Sequence, residues 1–361
     1  MYQVARRDLP FSKSERDSPV LLGVKIATEG YRPELTSSWS AAFQVLVTMC
    51  WSDKADLRPS LPLVATTLTK ILLGEQGFIT SSPMKGGVQA STEDTPNRKK
   101  ETHGPELPAG DLWRCIETEP HSVKKSQVIL GAGAFATVYR CEIEGKEAAL
   151  KVFRNSSEEK IFAEIAVHFS LRHPNIIKLY AWFREQGTIT QIGAVIEFAG
   201  SGGLNDVLKS KDFSLLQGME ILSSAAIGVA HMHGMSVPVV HRDLKSANIM
   251  VMADGTTGKV GDCGESRRVD ADATMTSVGS PLWAAPEVLA GKRYCEDVDT
   301  YSFGVIMYEV ATRKLPYHER ILAWRKEGGQ GMDRSMFRRI ASGTITLELN
   351  TSLCKEFGVG R

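Results

Sequence analysis

The sequence has no apolar run long enough to cross a bilayer, which takes roughly 18 or more residues. Its first residues, MYQVARRDLPFSKSERDSP, also lack the apolar core of a secretory leader. Cysteine is sparse. Cys50, Cys115, Cys141, Cys263, Cys295 and Cys354 stand far apart and form no C-x-x-C pair. That spacing argues against a disulfide framework and a cysteine zinc site, and predicts free thiols in a reducing compartment. Excess charge is missing too. With 43 basic and 42 acidic residues the net charge is +1, which argues against a surface made for nucleic acid or another polyanion. What remains is an ordinary globular composition, 42% hydrophobic and 24% charged. Its 361 residues allow two or three average domains, or one two-lobed enzyme with extra sequence. The expectation is an intracellular, cytoplasmic chain with no membrane span and no nucleic-acid partner.

The densest chemistry lies in residues 241–251, HRDLKSANIMV, after an apolar helical run (221–233) and a Val-Pro-Val-Val lead-in. Asp243, Lys245 and Asn248 fall within six positions. Such spacing suits a loop pinned at both ends with these side chains turned to one centre. A carboxylate can accept a hydroxyl proton, an ammonium can balance phosphate charge, and an amide oxygen can ligate a hard cation. Upstream, residues 128–153 read as three short strands, with GAGAFATVY at the first turn and a second turn at Gly145. Missing side chains at Gly131 and Gly133 let backbone N–H groups approach phosphate oxygens. Lys151, in the apolar strand AALKVF, is costly to bury unless it meets an anion. A helix is expected over 157–171, carrying Glu164, followed by strands within 173–183 and 190–200 and another helix from SGGLNDVL. Lys259-Val260-Gly261 then leads as a short strand to Asp262.

The string H-R-D-L-K-x-x-N resembles the catalytic loop of the protein kinases, and the flanking motifs follow in that family's order. The resemblance implies an α+β, two-lobed fold. A small antiparallel β lobe with one helix (126–200) would sit over a large, mainly helical lobe (201–361), with ATP in the cleft between them. It implies that Asp243 accepts or orients the proton of a Ser/Thr hydroxyl on a protein substrate, with Lys245 steadying the transferring phosphoryl group. Lys151, held by Glu164, would set the phosphates, and Asn248 and Asp262 would hold Mg2+. The nucleotide would lie among Leu130, Gly131, Ala132, Gly133, Val138, Ala149 and Lys151, with backbone groups of Glu197 and Ala199 facing adenine and Ile196 at the gatekeeper position. Lysine at 245 points to the Ser/Thr type, and C-W-S-D-K-A-D-L-R-P-S (50–60) to the tyrosine-kinase-like branch. Thr274, Thr276 and Ser277 would be regulatory phosphate acceptors that pair with Arg242. Asp299 matches the aspartate that fixes the catalytic loop from a buried helix.

Three positions depart from the family. Cys263 replaces the phenylalanine after the metal aspartate, His168 stands where an apolar residue is usual, and Ala136 replaces the third loop glycine. These departures support the rival reading, a catalytically silent kinase-like scaffold that binds ATP or partners.

The order of segments is unusual. Residues 1–18 read as a disordered tail and 74–125, rich in Gly, Pro, Ser, Thr and mixed charge, as a flexible linker. Between them, 19–73 contains two apolar-faced helices near 39–51 and 61–73, and resembles the closing helices of a kinase large lobe. In the family, the arginine matching Arg58 pairs with a glutamate matching Glu287. Residues 340–359, IASGTITLELNTSLCKEFGV, repeat the pattern of residues 26–45, IATEGYRPELTSSWSAAFQV. The closing helices are therefore missing in order after residue 361, and the chain reads as a piece of a tandem kinase array. A sharper expectation follows, that the early hairpin docks on the large lobe and brings Arg58 to Glu287, against competition from residues 340–361.

Overall fold

The computed structural model describes residues 40–74, 116–187, 190–268, 280 and 282–314. Its small lobe is one five-stranded antiparallel sheet with strand order β1-β2-β3-β5-β4. The strands are β1 (Val123–Ala132), β2 (Ala136–Ile143), β3 (Lys146–Phe153), β4 (Leu179–Glu185) and β5 (Gln191–Glu197). Alternating small and apolar residues bury one face of β3, with Ala148, Leu150 and Val152 all under 4% exposed. Gly145, at φ 75°, makes the β2–β3 turn, in backbone space that favours glycine. Helix α3 (Glu158–Ser170) packs Ile161 and Ile165 against Phe153, Trp182 and Ile192.

The sheet edge at β4 is not left open. Glu117 bridges Trp182 in parallel, and the Thr118 N–H donates to the Trp182 carbonyl at 2.8 Å. Ile116 packs into the cluster beneath α3. Residues 116–125, the last of the segment read as linker, are thus built into the small lobe, and β1 begins at Val123. Composition pointed to a linker there because the reason for order is an edge strand in need of a partner. The strand expected over 173–183 starts only at Leu179, because residues 175–177 are tied into the large lobe instead. There the Ile177 N–H donates to Val260 and the Val260 N–H to Asn175.

In the large lobe, α5 (Leu215–His233) and α7 (Asp297–Thr312) form the centre. Ser214 caps α5 by accepting from the Gln217 N–H at 3.1 Å. The helix starts one and a half turns before the apolar run suggested, because its first residues, Leu215 and Leu216, are exposed. From Val298 to Val310 every residue of α7 is buried. Among the described residues the lobe also holds short elements: β6 (Gly202–Gly203), α4 (Leu204–Val207), β7 (Val239–Val240), β8 (Ile249–Val251), β9 (Gly258–Val260), β10 (Arg267–Arg268) and α6 (Pro286–Leu289).

The early hairpin, α1 (Ala41–Cys50) and α2 (Leu61–Leu72), lies on this lobe, α1 against α7 and α2 against α5. Phe43, Leu46, Val47, Leu61, Val64 and Leu68 belong to the same buried cluster as the α5 and α7 side chains. Each contributes on the order of 1.5–3 kcal/mol relative to exposure. The Thr69 and Ser223 hydroxyls meet at 2.9 Å, and the Trp51 and Tyr308 rings lie 6.0 Å apart. At the closest approach, a Cβ on Gly304 would come within 2.7 Å of Cys50 Cβ and 3.3 Å of the Trp51 nitrogen. Gly304→Ala should therefore push α1 off α7 and lower stability by about 1–3 kcal/mol. An unchanged urea midpoint would mean that the hairpin does not sit there. The repeat at 340–361 lies outside the described residues.

Candidate active site

Asp299 is fully buried at the start of α7 and reaches back to the loop after β7. Its Oδ2 accepts from the His241 N–H at 2.7 Å and its Oδ1 from the Arg242 N–H at 2.9 Å, while His233 Nε2 lies 2.8 Å from Oδ2. Burial opposes its charge, yet the His233 hydrogen bond and the nearby histidines outweigh burial and hold its carboxyl below the ordinary range. These bonds hold Arg242 at φ 66°, a left-handed conformation that a free loop would leave. The next residue, Asp243, is thereby set in place. Its Oδ2 accepts from Lys245 Nζ at 2.7 Å, and its Oδ1 from the Ser280 N–H at 2.8 Å. Lys245 Nζ also donates to Ser280 Oγ at 3.0 Å, and Asn248 Nδ2 to the Asp243 carbonyl at 2.8 Å. Asp243, Lys245, Asn248 and Ser280 thus share one hydrogen-bonded network.

A second cluster joins the small lobe to the large one beside it. Lys151, in the middle of the sheet, pairs with Val138 on one side and Ala194 on the other. Its Nζ donates to Glu164 Oε1 at 2.6 Å and to Asp262 Oδ1 at 2.7 Å. Burial alone would lower the Lys151 pKa, but the Asp262 and Glu164 carboxylates reverse this and raise it. The Lys151 charge draws Asp262 down to about 2 against burial. Glu164 is pushed up by burial despite Lys151. Asp262 is therefore firmly anionic at neutral pH, and it too has a left-handed backbone, at φ 55°. The strand β9 delivers it, and His241 Nε2 lies 3.0 Å from the Gly261 carbonyl. A Cβ on Gly264 would stand 3.0 Å from Glu164 Oε2, so the glycine lets this loop close on α3.

Above the cluster, Leu130, Gly131, Ala132 and Gly133 are exposed at the β1–β2 turn, with Val138 partly buried and Ala149 buried. After β5, the Glu197 N–H is committed to the Lys178 carbonyl and the Ala199 carbonyl accepts from Gly202. The Glu197 side chain turns to Lys259 Nζ at 2.6 Å. Glu197 is thus tied to the residue before β4 and to β9. Thr274, Thr276 and Ser277 lie outside the described residues.

The protein kinase domain family matches residues 124–348, more than half of the chain. The chain belongs to the protein kinase family. The kinase is 34% identical over 197 residues to human mitogen-activated protein kinase kinase kinase 7, a match covering 53% of the chain and 32% of that protein. It is 26% identical over 333 residues to dual specificity protein kinase pyk3 of Dictyostelium discoideum, covering 88% of the chain and 23% of that protein. The chain spans about a third or less of the length of such curated relatives.

One part of the kinase site had no sequence signal. Glu309, on α7 and 3% exposed, accepts from Ser246 Oγ at 3.0 Å and from Trp283 Nε1 at 2.6 Å. It joins the catalytic loop to the segment beyond Ser280. Those residues are 26 and 63 positions away in the chain, so only folding brings them together. Burial pushes the Glu309 carboxyl up to about 8. The folded state thus keeps a proton that the unfolded state loses near the ordinary glutamate value, and stability present at acidic pH is lost as pH rises toward 8. Glu309→Gln should hold both partners without charge. It should raise stability at pH 8 by an amount on the order of a few kcal/mol, shrinking toward zero near pH 4.5. Urea midpoints measured at both pH values check this, and an equal shift at both would refute it.

Proposed function

We propose that this kinase transfers the γ-phosphoryl group of ATP to Ser/Thr hydroxyls of proteins with Mg2+ present. The observation that carries the reading is the Asp243 carboxylate, held from opposite oxygens by Lys245 Nζ and the Ser280 amide, beside the Lys151–Asp262–Glu164 cluster. Asp243 would orient the substrate hydroxyl and take its proton as the oxygen bonds to the γ-phosphorus. The bond to the β–γ bridging oxygen breaks and ADP leaves. Lys245 would offset negative charge on the transferring group. Lys151, freed in part from Asp262, would hold phosphate oxygens.

The donor set fits magnesium. Asp262 supplies an anionic carboxylate, and Asn248, whose Nδ2 is spent on Asp243, supplies an amide oxygen, both hard ligands. Among the described residues no three His, Cys, Asp or Glu side chains gather as a metal cage, which suits an ion that takes its remaining ligands from phosphate and water. Bound there, Mg2+ would neutralise phosphate charge. Thr274, Thr276 and Ser277 are proposed as regulatory phosphate acceptors. Supporting this, the buried Arg242 has an Nη1 without a hydrogen-bond partner among the described residues.

The test is transfer of labelled γ-phosphate to a generic protein substrate with and without Mg2+, followed by phosphoamino-acid analysis. Phosphoserine and phosphothreonine are expected, with Mg2+ required. Phosphotyrosine as the main product would overturn the Ser/Thr assignment. A folded protein that binds ATP yet transfers nothing would turn the reading to a silent scaffold.

A further inference from the structure

Helix α3 carries Glu164, and one turn later, on the same side, it carries His168. The His168 ring is buried, and its Nε2 lies 2.6 Å from the carbonyl oxygen of Ile177. A carbonyl can only accept, so Nε2 carries the proton and the ring is the donor. Burial lowers the His168 pKa and keeps the ring neutral in this role. Ile177 does not belong to the small-lobe sheet. Its N–H donates to the Val260 carbonyl at 2.8 Å, and Ile176 bridges Val260 in parallel. Val260 ends β9, two residues before Asp262. A continuous hydrogen-bonded path therefore runs from the Glu164 helix through His168 and Ile177 to the strand that delivers Asp262.

Apolar packing runs beside this path, with Val167 of α3 and Leu171 at its C-cap against the cluster that holds Cys263. The segment Cys263–Glu265 meets α3 through Cys263, a small side chain 1% exposed, and through Gly264, which has none. Cys263 and Gly264 themselves offer α3 little apolar surface, and the His168 bond adds to what Val167 and Leu171 supply. The His168 bond is directional and buried, and removing its donor would leave the Ile177 carbonyl without that partner.

We infer that His168 is a positioning residue, which holds the Glu164 helix in register with Asp262 through the Ile177 carbonyl and so keeps both carboxylates on Lys151. The consequence for phosphoryl transfer rests on the kinase reading; the consequence for the helix does not.

The test compares His168→Leu, which removes the donor, with His168→Gln, whose amide nitrogen can occupy the Nε2 place. Two readouts on the full chain separate the questions. Amide hydrogen exchange in residues 158–170 should speed about tenfold in the leucine variant, the equivalent of about 1.4 kcal/mol. It should stay within about threefold of the parent in the glutamine variant, with α5 unaffected in both. In the same samples kcat per folded molecule should fall about tenfold for leucine and recover for glutamine. Unchanged α3 exchange in the leucine variant would overturn the inference, as would a glutamine variant as impaired as leucine. If the parent transfers no phosphate, the kinase reading fails, and the exchange data still decide for or against His168.

Discussion

Arg58→Ala should destabilise the protein by about 3–5 kcal/mol, the cost typical of removing one partner from a buried ion pair. The Arg58 side chain is fully buried, and Glu287 is 15% exposed. Its guanidinium meets both oxygens of Glu287, with Nη2 to Oε2 at 2.9 Å, and Nε donates to the Ser52 carbonyl at 2.8 Å. Nη1 also donates to the Asp297 carbonyl at 3.2 Å, and the group lies 5.1 Å from the Tyr301 ring centroid. Alanine would leave Glu287 and two carbonyls short of donors inside the lobe. Lysine should recover little, because one ammonium cannot reproduce the planar, two-pronged contact. Glu287→Gln should also destabilise, because the fully buried guanidinium loses its counter-charge although the amide keeps one acceptor. A double-mutant cycle isolates the pair. An unchanged urea midpoint in Arg58→Ala would dismiss the docked hairpin as a structural member of the lobe. Loss of the cooperative transition altogether would show that the large lobe cannot close without it.

Asp243→Asn should lower kcat by roughly 100- to 10,000-fold, the range for losing a positioned proton acceptor. The KM for ATP should move little, because Asp243 is not among the proposed nucleotide contacts. Asparagine keeps a carbonyl oxygen able to accept from the Ser280 amide, so the fold should survive and the unfolding midpoint should stay near that of the parent. The comparison must be made per folded molecule. A kcat within threefold of the parent would remove Asp243 from the proton path. A fall in kcat matched by a fall in stability would instead mark it as a loop anchor. Lys151 offers a contrast. It touches Glu164 and Asp262 and is proposed to touch phosphate, so its replacement should raise KM for ATP as well as lower kcat.

Much of the site was legible in the sequence because its signals are local. Asp243, Lys245 and Asn248 lie on one short loop, and the Lys151 strand announces itself by burying a lysine among alanines and leucine. The glycine turn at residues 131–133 precedes it by a fixed strand length. Long-range partners were legible only through resemblance, as with Glu164 and Asp262, or not at all, as with Glu309, Trp283 and Lys259. A buried glutamate on an apolar helix looks the same in sequence whether it meets a tryptophan, a serine or nothing. The linker boundary was missed for a related reason. Residues 116–122 have loop composition, and what orders them is the vacant edge of β4.

By itself, the sequence determined the elements and the chemistry. Helical and strand periods, the turn at Gly145 and the order of charged residues are properties of neighbouring positions. The tertiary structure decided which distant groups meet. It set Arg58 on Glu287 across 229 positions and closed Lys151 on Asp262 across 111. It also turned His168 from an ill-fitting residue on an apolar face into a donor to Ile177. Such pairings depend on burial. The free energy of a charge or a polar group is set by what surrounds it once water is excluded, and those surroundings exist only after the chain has packed.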